Sequence, residues 1–383
     1  MADGQSKALG PNAKFIGVKG SRAGLSTPAL LLDLDALERN IAAMAVHCER
    51  AGLQLRPHAK GAKSIEIARR QVAAGAAGIC CATLGEAEVI AGGGIENVLV
   101  TSPVVTPPMI DRLIELARRA KGLMVVADNP ANVHALDAAF AGKGASLGII
   151  VEFDVTQGRT GTRSVGLALA LARDIKACRN IRYAGVQAYY GHFQHIPAFA
   201  DRKAAADAQM ARVRELLAGL KSDGLAPEIV TGGGTGTFDI DPAGAVYTEI
   251  QPGSYPFMDR EYVEIDMTRA RTSPFAPSLF VQASVISVHG EAFAVVNAGY
   301  KSFATEGGMP VVASPRLKDA KYRLMGDEHG GIDYDPTGGV LKLGDLVEFL
   351  TPHCDPTINL YDRYHVVQGD TLVEIWPVDG RGC

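Results

Sequence analysis

The chain has 383 residues, of which 47% are hydrophobic and 21% charged, with a formal net charge of −4. That composition is ordinary for a globular protein, and the length suits a barrel of roughly 250 residues plus a second domain. The slight negative charge excludes a basic footprint for nucleic acid or an anionic membrane surface, and no apolar run approaches the roughly 20 residues that span a bilayer. Residues 1–22 are polar and Gly-rich, without an apolar signal core, and read as a loose tail on a cytoplasmic protein. The six cysteines show no zinc spacing, and the adjacent Cys80 and Cys81 read as buried small hydrophobes in a reducing compartment.

Strand-like runs alternate with helical ones from about residue 25 to residue 260. Residues 29–33 are a short apolar strand, followed by Asp35 as an N-cap and by Leu37, Ile41, Met44 and Cys48 at helical spacing. Residues 53–58 are a second strand, with Ile65, Ala68 and Val72 on one face of the helix after it. Further strands are expected at 78–82, 97–100, 123–127, 147–153, 182–190 and 227–231, separated by helices such as 108–120, which has proline in its first turn. Eight such strands predict an α/β fold, a (β/α)8 TIM-like barrel over residues 23–262. Beyond it, strands at 278–289, 291–296, 339–350 and 371–376 are broken by Gly, Pro and Asp turns. Residues 263–383 therefore read as a C-terminal, mostly antiparallel β domain.

Several clusters could carry chemistry. Lys60, in Arg56-Pro-His-Ala-Lys60, sits just past a predicted barrel strand, at the active end of such barrels. A lysine there can lose its charge and attack an aldehyde, although a surface lysine would look the same. Asp154-Val-Thr-Gln-Gly-Arg159-Thr-Gly161 places an arginine among glycines at another strand end, suited to an anion or a phenolate. Thr231-Gly-Gly-Gly-Thr235 follows the last predicted strand, where successive glycines let backbone N–H groups close around an anion. Gln251-Pro-Gly-Ser254-Tyr255 could add donors. Gln187, Tyr189, Tyr190 and His192 crowd the end of the seventh predicted strand, where a tyrosine could stack on a ring or serve packing alone. In Pro352-His-Cys-Asp355-Pro, an extended backbone would turn His353 and Asp355 to one side, a pair suited to a borderline divalent ion.

Together these motifs resemble the fold-type III pyridoxal-phosphate enzymes, the alanine racemase-like group, over nearly the whole chain from Thr27. Within that group the chain is most similar to the D-threonine aldolase and D-serine dehydratase families. The resemblance implies pyridoxal phosphate held as a Schiff base on Lys60, with Arg159 near its phenolic oxygen and Gly233 and Gly234 at its phosphate. Gln187, Tyr190, Thr231, Ser254 and Tyr255 are expected around the same cofactor. Alanine racemases place an arginine before Pro-Gly where this chain has Gln251, and no catalytic tyrosine is evident, which argues against racemisation. The dehydratases carry His-x-Cys as a zinc motif; the carboxylate of Asp355 shifts preference toward Mn²⁺, with Mg²⁺ or Zn²⁺ as alternatives.

The resemblance thus implies retro-aldol cleavage of a small-molecule D-3-hydroxy amino acid, D-threonine giving glycine and acetaldehyde. The metal would acidify the 3-hydroxyl, and either metal-bound hydroxide or His192 would take its proton. Dehydration of D-serine or 3-hydroxyaspartate on the same scaffold is the alternative. A pure cofactor carrier would lack the β domain, and a metal-dependent barrel hydrolase would lack the cofactor. Enzymes of this type imply a homodimer.

Overall fold

The computed structural model describes residues 9–383, so the first part of the expected tail lies outside the described residues. Eight parallel strands form the barrel: Gln54–Leu55, Cys80–Cys81, Leu99–Val100, Met124–Ala127, Gly148–Glu152, Arg182–Ala188, Ile229–Gly232 and Glu249–Ile250. The ring closes where the Cys80 amide donates to the Pro57 carbonyl (2.8 Å) and the Ala59 amide to the Cys80 carbonyl (2.7 Å). Cys80, Leu99, Met124, Val126, Ile150 and Ala184 fill the interior, a packed core rather than a pore. Helices cover the outside, and their ends are legible locally. Leu34–Ala51 is capped by Asp33, whose carboxylate accepts from the Ala36 amide (2.9 Å), and stops at Gly52 in the left-handed region (φ 67°). Pro107–Arg119 starts with proline and buries Ile110, Leu113 and Ile114.

Two strand assignments are corrected. Ala29–Asp33, expected to open the barrel, pairs antiparallel with Leu279–His289 and parallel with Arg363–Gln368, inside the second sheet. Its residues are apolar on both faces, so the run identifies a central strand but not which sheet it is central to. The eighth barrel strand is instead Glu249–Ile250, only two residues long and without an apolar run. Consequently Arg182–Ala188 is the sixth barrel strand rather than the seventh, and the glycine turn follows the seventh rather than the last. The helix cap is likewise Asp33 rather than Asp35.

The second sheet has nine strands and is mostly antiparallel. The expected runs appear as Leu279–His289, Phe293–Val296, Leu346–Leu350 and Thr371–Pro377. Lys321–Leu324 and Gly330–Asp333 were not anticipated; the second begins with two glycines that present no alternating apolar face. Residues 9–22 are not loose. Asn12 is buried and accepts from the Ser26 amide (2.7 Å), Ser21 Oγ accepts from the Leu372 amide (2.8 Å), and Arg22 pairs with Glu348 (2.7 Å). These side chains take up the backbone donors of Ser26 and Leu372 and pair with the charge of Glu348, which holds the segment down.

The β domain also grips the segment that follows Lys60. Tyr364 donates to the Ala62 carbonyl (2.6 Å), the Gly380 amide to the Lys63 carbonyl (2.9 Å), and Asp379 accepts from the Ile65 amide (2.8 Å). Lys63, itself buried, bonds Glu86 (2.8 Å).

Candidate active site

A cavity of about 290 Å³ opens at the C-terminal ends of the barrel strands, and the β domain reaches it through His353. It is lined by Lys60, Arg159, Gln187, His195, Gln251 and His353, among others. Wider grooves of about 560 and 600 Å³ lie elsewhere; the first is lined mostly by apolar side chains, and in the second the charges pair with one another, Lys203 with Asp207 and Arg271 with Asp266.

Lys60 Nζ forms an ion pair with Asp355 Oδ2 at 2.6 Å. The lysine side chain is 41% exposed and the aspartate 11%. The carboxylate raises the lysine's pKa above its ordinary value, outweighing burial. Burial alone would push Asp355 up, but Lys60 and then His353 hold it at about 2. Behind them, burial and then Lys60 lower His58 to about 3, so its ring is neutral. Its Nδ1 accepts from the Lys60 amide (3.3 Å), which leaves Nε2–H for the Thr101 hydroxyl (3.0 Å).

The His353–Asp355 pair arises differently from the extended segment expected. His353 caps a five-residue helix, Cys354–Ile358, so Asp355 lies in its first turn. The two still face each other, with His353 Nε2 3.9 Å from Asp355 Oδ2. Around them stand groups the sequence reading left unassigned. Asp259, Glu261 and His353 bring one ligand atom each within 4.8 Å of one another. Burial raises Asp259 to about 6 although the Cys354 amide donates to it (2.8 Å). His195 Nε2 and Glu261 Oε2 are buried without a hydrogen-bond partner. Orphaned buried donors and acceptors beside carboxylates and an imidazole fit a cation and its waters.

The opposite wall fits an anionic ring cofactor. Gly233 has φ +62°, and a Cβ on it would stand 2.1 Å from Asp241 Oδ2; a Cβ on Gly234 would stand 2.6 Å from Gln194 Oε1. Only bare backbone passes through this turn. The amides of Ser254 and Tyr255 converge on Thr235 Oγ1 (3.1 and 3.2 Å), an arrangement of neighbouring N–H groups that suits a phosphate oxygen. Gln251 donates to Gln187 Oε1 (3.0 Å) and Thr231 Oγ1 (2.8 Å), which ties three expected residues into one buried network. Arg159 lies over the Tyr189 ring (5.6 Å) at the cavity edge.

Three side chains are elsewhere. Tyr190 is fully buried in the barrel wall and donates to Asp241 Oδ1 (2.5 Å), so Tyr189, not Tyr190, faces the cavity. The alternation of a strand end turns neighbours to opposite sides. Tyr255 contributes its amide, while its hydroxyl accepts from Gln71 (3.0 Å) away from the cavity. His192 is exposed and packs on Phe193 (3.9 Å between rings), whereas His195, one helical turn on, lines the cavity. The spacing His192-x-x-His195 and the run Asp259-Arg-Glu261 were the only signals available for the groups that were missed.

The alanine racemase N-terminal domain model matches residues 32–261, and a serine dehydratase domain model matches residues 278–367. The chain belongs to the alanine racemase-like family. It is similar to the 3-hydroxy-D-aspartate aldolase of Paracoccus denitrificans strain Pd 1222, 40% identical over 362 residues, 94% of this chain and 92% of the relative. It is 38% identical over 362 residues to the D-threonine aldolase of an Arthrobacter species, covering 94% of each chain. The crystal structure of D-threonine aldolase from Filomicrobium marinum superposes with a TM-score of 0.88 at 38% identity, covering 94% of this chain and 96% of the other. Within the family the chain is therefore an aldolase, a carbon–carbon lyase. The family implies pyridoxal phosphate, and the amine, the bare glycine turn and the paired amides fit it.

Proposed function

We propose that this chain cleaves D-3-hydroxy amino acids with pyridoxal phosphate and a divalent metal, D-threonine giving glycine and acetaldehyde. The observation that carries the reading is the meeting of Lys60, from the barrel, with His353 and Asp355, from the β domain, across one cavity. Lys60 would hold the cofactor covalently, with the glycine turn and the Ser254 and Tyr255 amides at its phosphate and Arg159 at its ring oxygen. His353 and Asp355 would hold the metal, and the oxygen-rich surroundings favour Mn²⁺ over Zn²⁺. When bound, the two groups supply an electron sink at the substrate α-carbon and a Lewis acid at its 3-hydroxyl.

The chain's own residues supply the proton chemistry. Burial lowers the His195 pKa despite Glu261 at 3.6 Å, so the imidazole is neutral near pH 7. Its buried Nε2 has no partner and can accept the hydroxyl proton as the Cα–Cβ bond breaks and the aldehyde leaves. His195 thus replaces His192 as the proposed base. Tyr262 packs edge-on against the ring (4.7 Å).

The match of residues 278–367 to a serine dehydratase domain supports a second reading, loss of water from D-serine or 3-hydroxyaspartate. Product analysis with D-threonine and D-serine, with EDTA and with added Mn²⁺, separates the two. Glycine and acetaldehyde from D-threonine, abolished by EDTA and restored by Mn²⁺, is the expected result. Pyruvate from D-serine with no aldehyde from D-threonine would sink the aldolase.

A further inference from the structure

His353 has two ring nitrogens, and only one can serve a metal. Its Nδ1 lies 2.8 Å from Glu306 Oε1, while its Nε2 turns toward Asp355. Glu261 also approaches Nδ1, but at 3.8 Å it is beyond hydrogen-bond reach. A carboxylate at Nδ1 requires a proton on that nitrogen, which leaves the Nε2 lone pair free on the side of Asp355.

Glu306 is held in place by a built turn. The Ala304 amide donates to Thr357 Oγ1 (3.2 Å), the Gly308 amide to the Thr305 carbonyl (3.0 Å), and Arg260 Nη1 to the Met309 carbonyl (3.0 Å). Gly308 has φ +100°, and a Cβ there would stand 2.7 Å from Arg260 Nη1. A Cβ on Gly307 would stand 3.2 Å from the carboxyl carbon of Glu261. These glycines let the turn press against the helix start that carries Arg260 and Glu261. The result is to bring Glu306 over the outer edge of the His353 ring.

We propose that Glu306 is a positioning residue: by accepting from Nδ1–H it fixes the tautomer and rotation of His353 and so presents Nε2 as the metal ligand. The inference rests on the metal site proposed above. It needs no contact between Glu306 and the substrate, and its signature is metal affinity rather than turnover.

The test is calorimetric titration of the full-length, pyridoxal-phosphate-loaded chain with Mn²⁺ after chelator treatment. Outer carboxylates of this kind change metal affinity by about 10–100-fold, so Glu306→Ala should raise the Kd for Mn²⁺ by that factor. Glu306→Gln, whose amide oxygen can still accept from Nδ1–H, should recover most of it. Because Glu306 is 55% exposed, both variants should keep the wild-type melting temperature. Loss of Mn²⁺ binding in His353→Ala with an unchanged Kd in Glu306→Ala would overturn the role of Glu306 alone. A Glu306→Gln protein as weak as Glu306→Ala would overturn the hydrogen-bonding account. An unchanged Kd in His353→Ala would remove the metal site itself, and the role of Glu306 with it.

Discussion

Lys60 Nζ and Asp355 Oδ2 stand 2.6 Å apart although 295 residues separate them in sequence. The pair joins the two domains at the cavity that Lys60 lines. It also sets the charge of both groups, keeping the lysine protonated and the carboxylate ionised.

One consequence concerns how the cofactor is taken up. An amine attacks an aldehyde only when unprotonated, and Asp355 raises the pH at which Lys60 gives up its proton. In cofactor-free protein near pH 8, Asp355→Asn should therefore capture pyridoxal phosphate faster than wild type, measured as growth of the Schiff-base absorbance. Lys60→Ala should show no such band. Equal rates in Asp355→Asn and wild type would mean that the pair opens before attack and does not control it.

The two histidines of the His192-x-x-His195 run should behave oppositely. His195→Ala removes the proposed proton acceptor and should lower kcat by about 10²–10⁴-fold, the usual scale of general base catalysis. His192→Ala alters an exposed ring and should leave kcat within a few-fold. Steady-state cleavage of D-threonine, with aldehyde measured by a coupled reductase, distinguishes them.

Arg56 belongs to the lysine motif but serves the barrel. It forks onto Glu249 at 2.7 and 2.9 Å, joining the first and eighth strands inside the wall, and both side chains are buried. Glu249→Ala leaves a buried charge uncompensated and should cost about 3–5 kcal/mol in urea unfolding. The double variant Arg56→Met with Glu249→Leu should recover much of that loss, because the penalty comes from the unpaired ion.

Asp241 supports the glycine turn from below, accepting from Tyr190 (2.5 Å) and Thr237 (2.8 Å), and burial raises its pKa to about 7. The unfolded value is about 3.9, so between these limits the folded chain holds a proton that the unfolded chain has lost. The contribution is fully present below the unfolded pKa and is lost as pH rises through about 7. This one group therefore lowers stability by at most roughly 1.4 kcal/mol per pH unit across the window. Urea midpoints from pH 4 to pH 8 should show that slope in wild type and lack it in Asp241→Asn.

The sequence by itself determined the local chemistry. Apolar strand runs alternating with amphipathic helices specify barrel units. Glycines at 232–234 specify a turn without side chains, and Lys60 at a strand exit specifies an amine at the barrel mouth. Each of these depends on spacing within a few residues, which a chain carries wherever it folds. Only the tertiary structure decided which groups meet. Ala29–Asp33 and Glu249–Ile250 exchanged places as barrel strands because hydrophobicity marks burial but not the sheet that provides it. His195 rather than His192, and Tyr189 rather than Tyr190, face the cavity because side-chain direction at a strand end or in a loop follows from backbone geometry, not composition. Glu306 reached His353 across 47 residues through a turn with no signature beyond two glycines. Neither the lysine at a strand exit nor the His-x-Asp tripeptide identifies a role by itself; the approach of Lys60 to Asp355 at 2.6 Å is a property of how the β domain seats on the barrel.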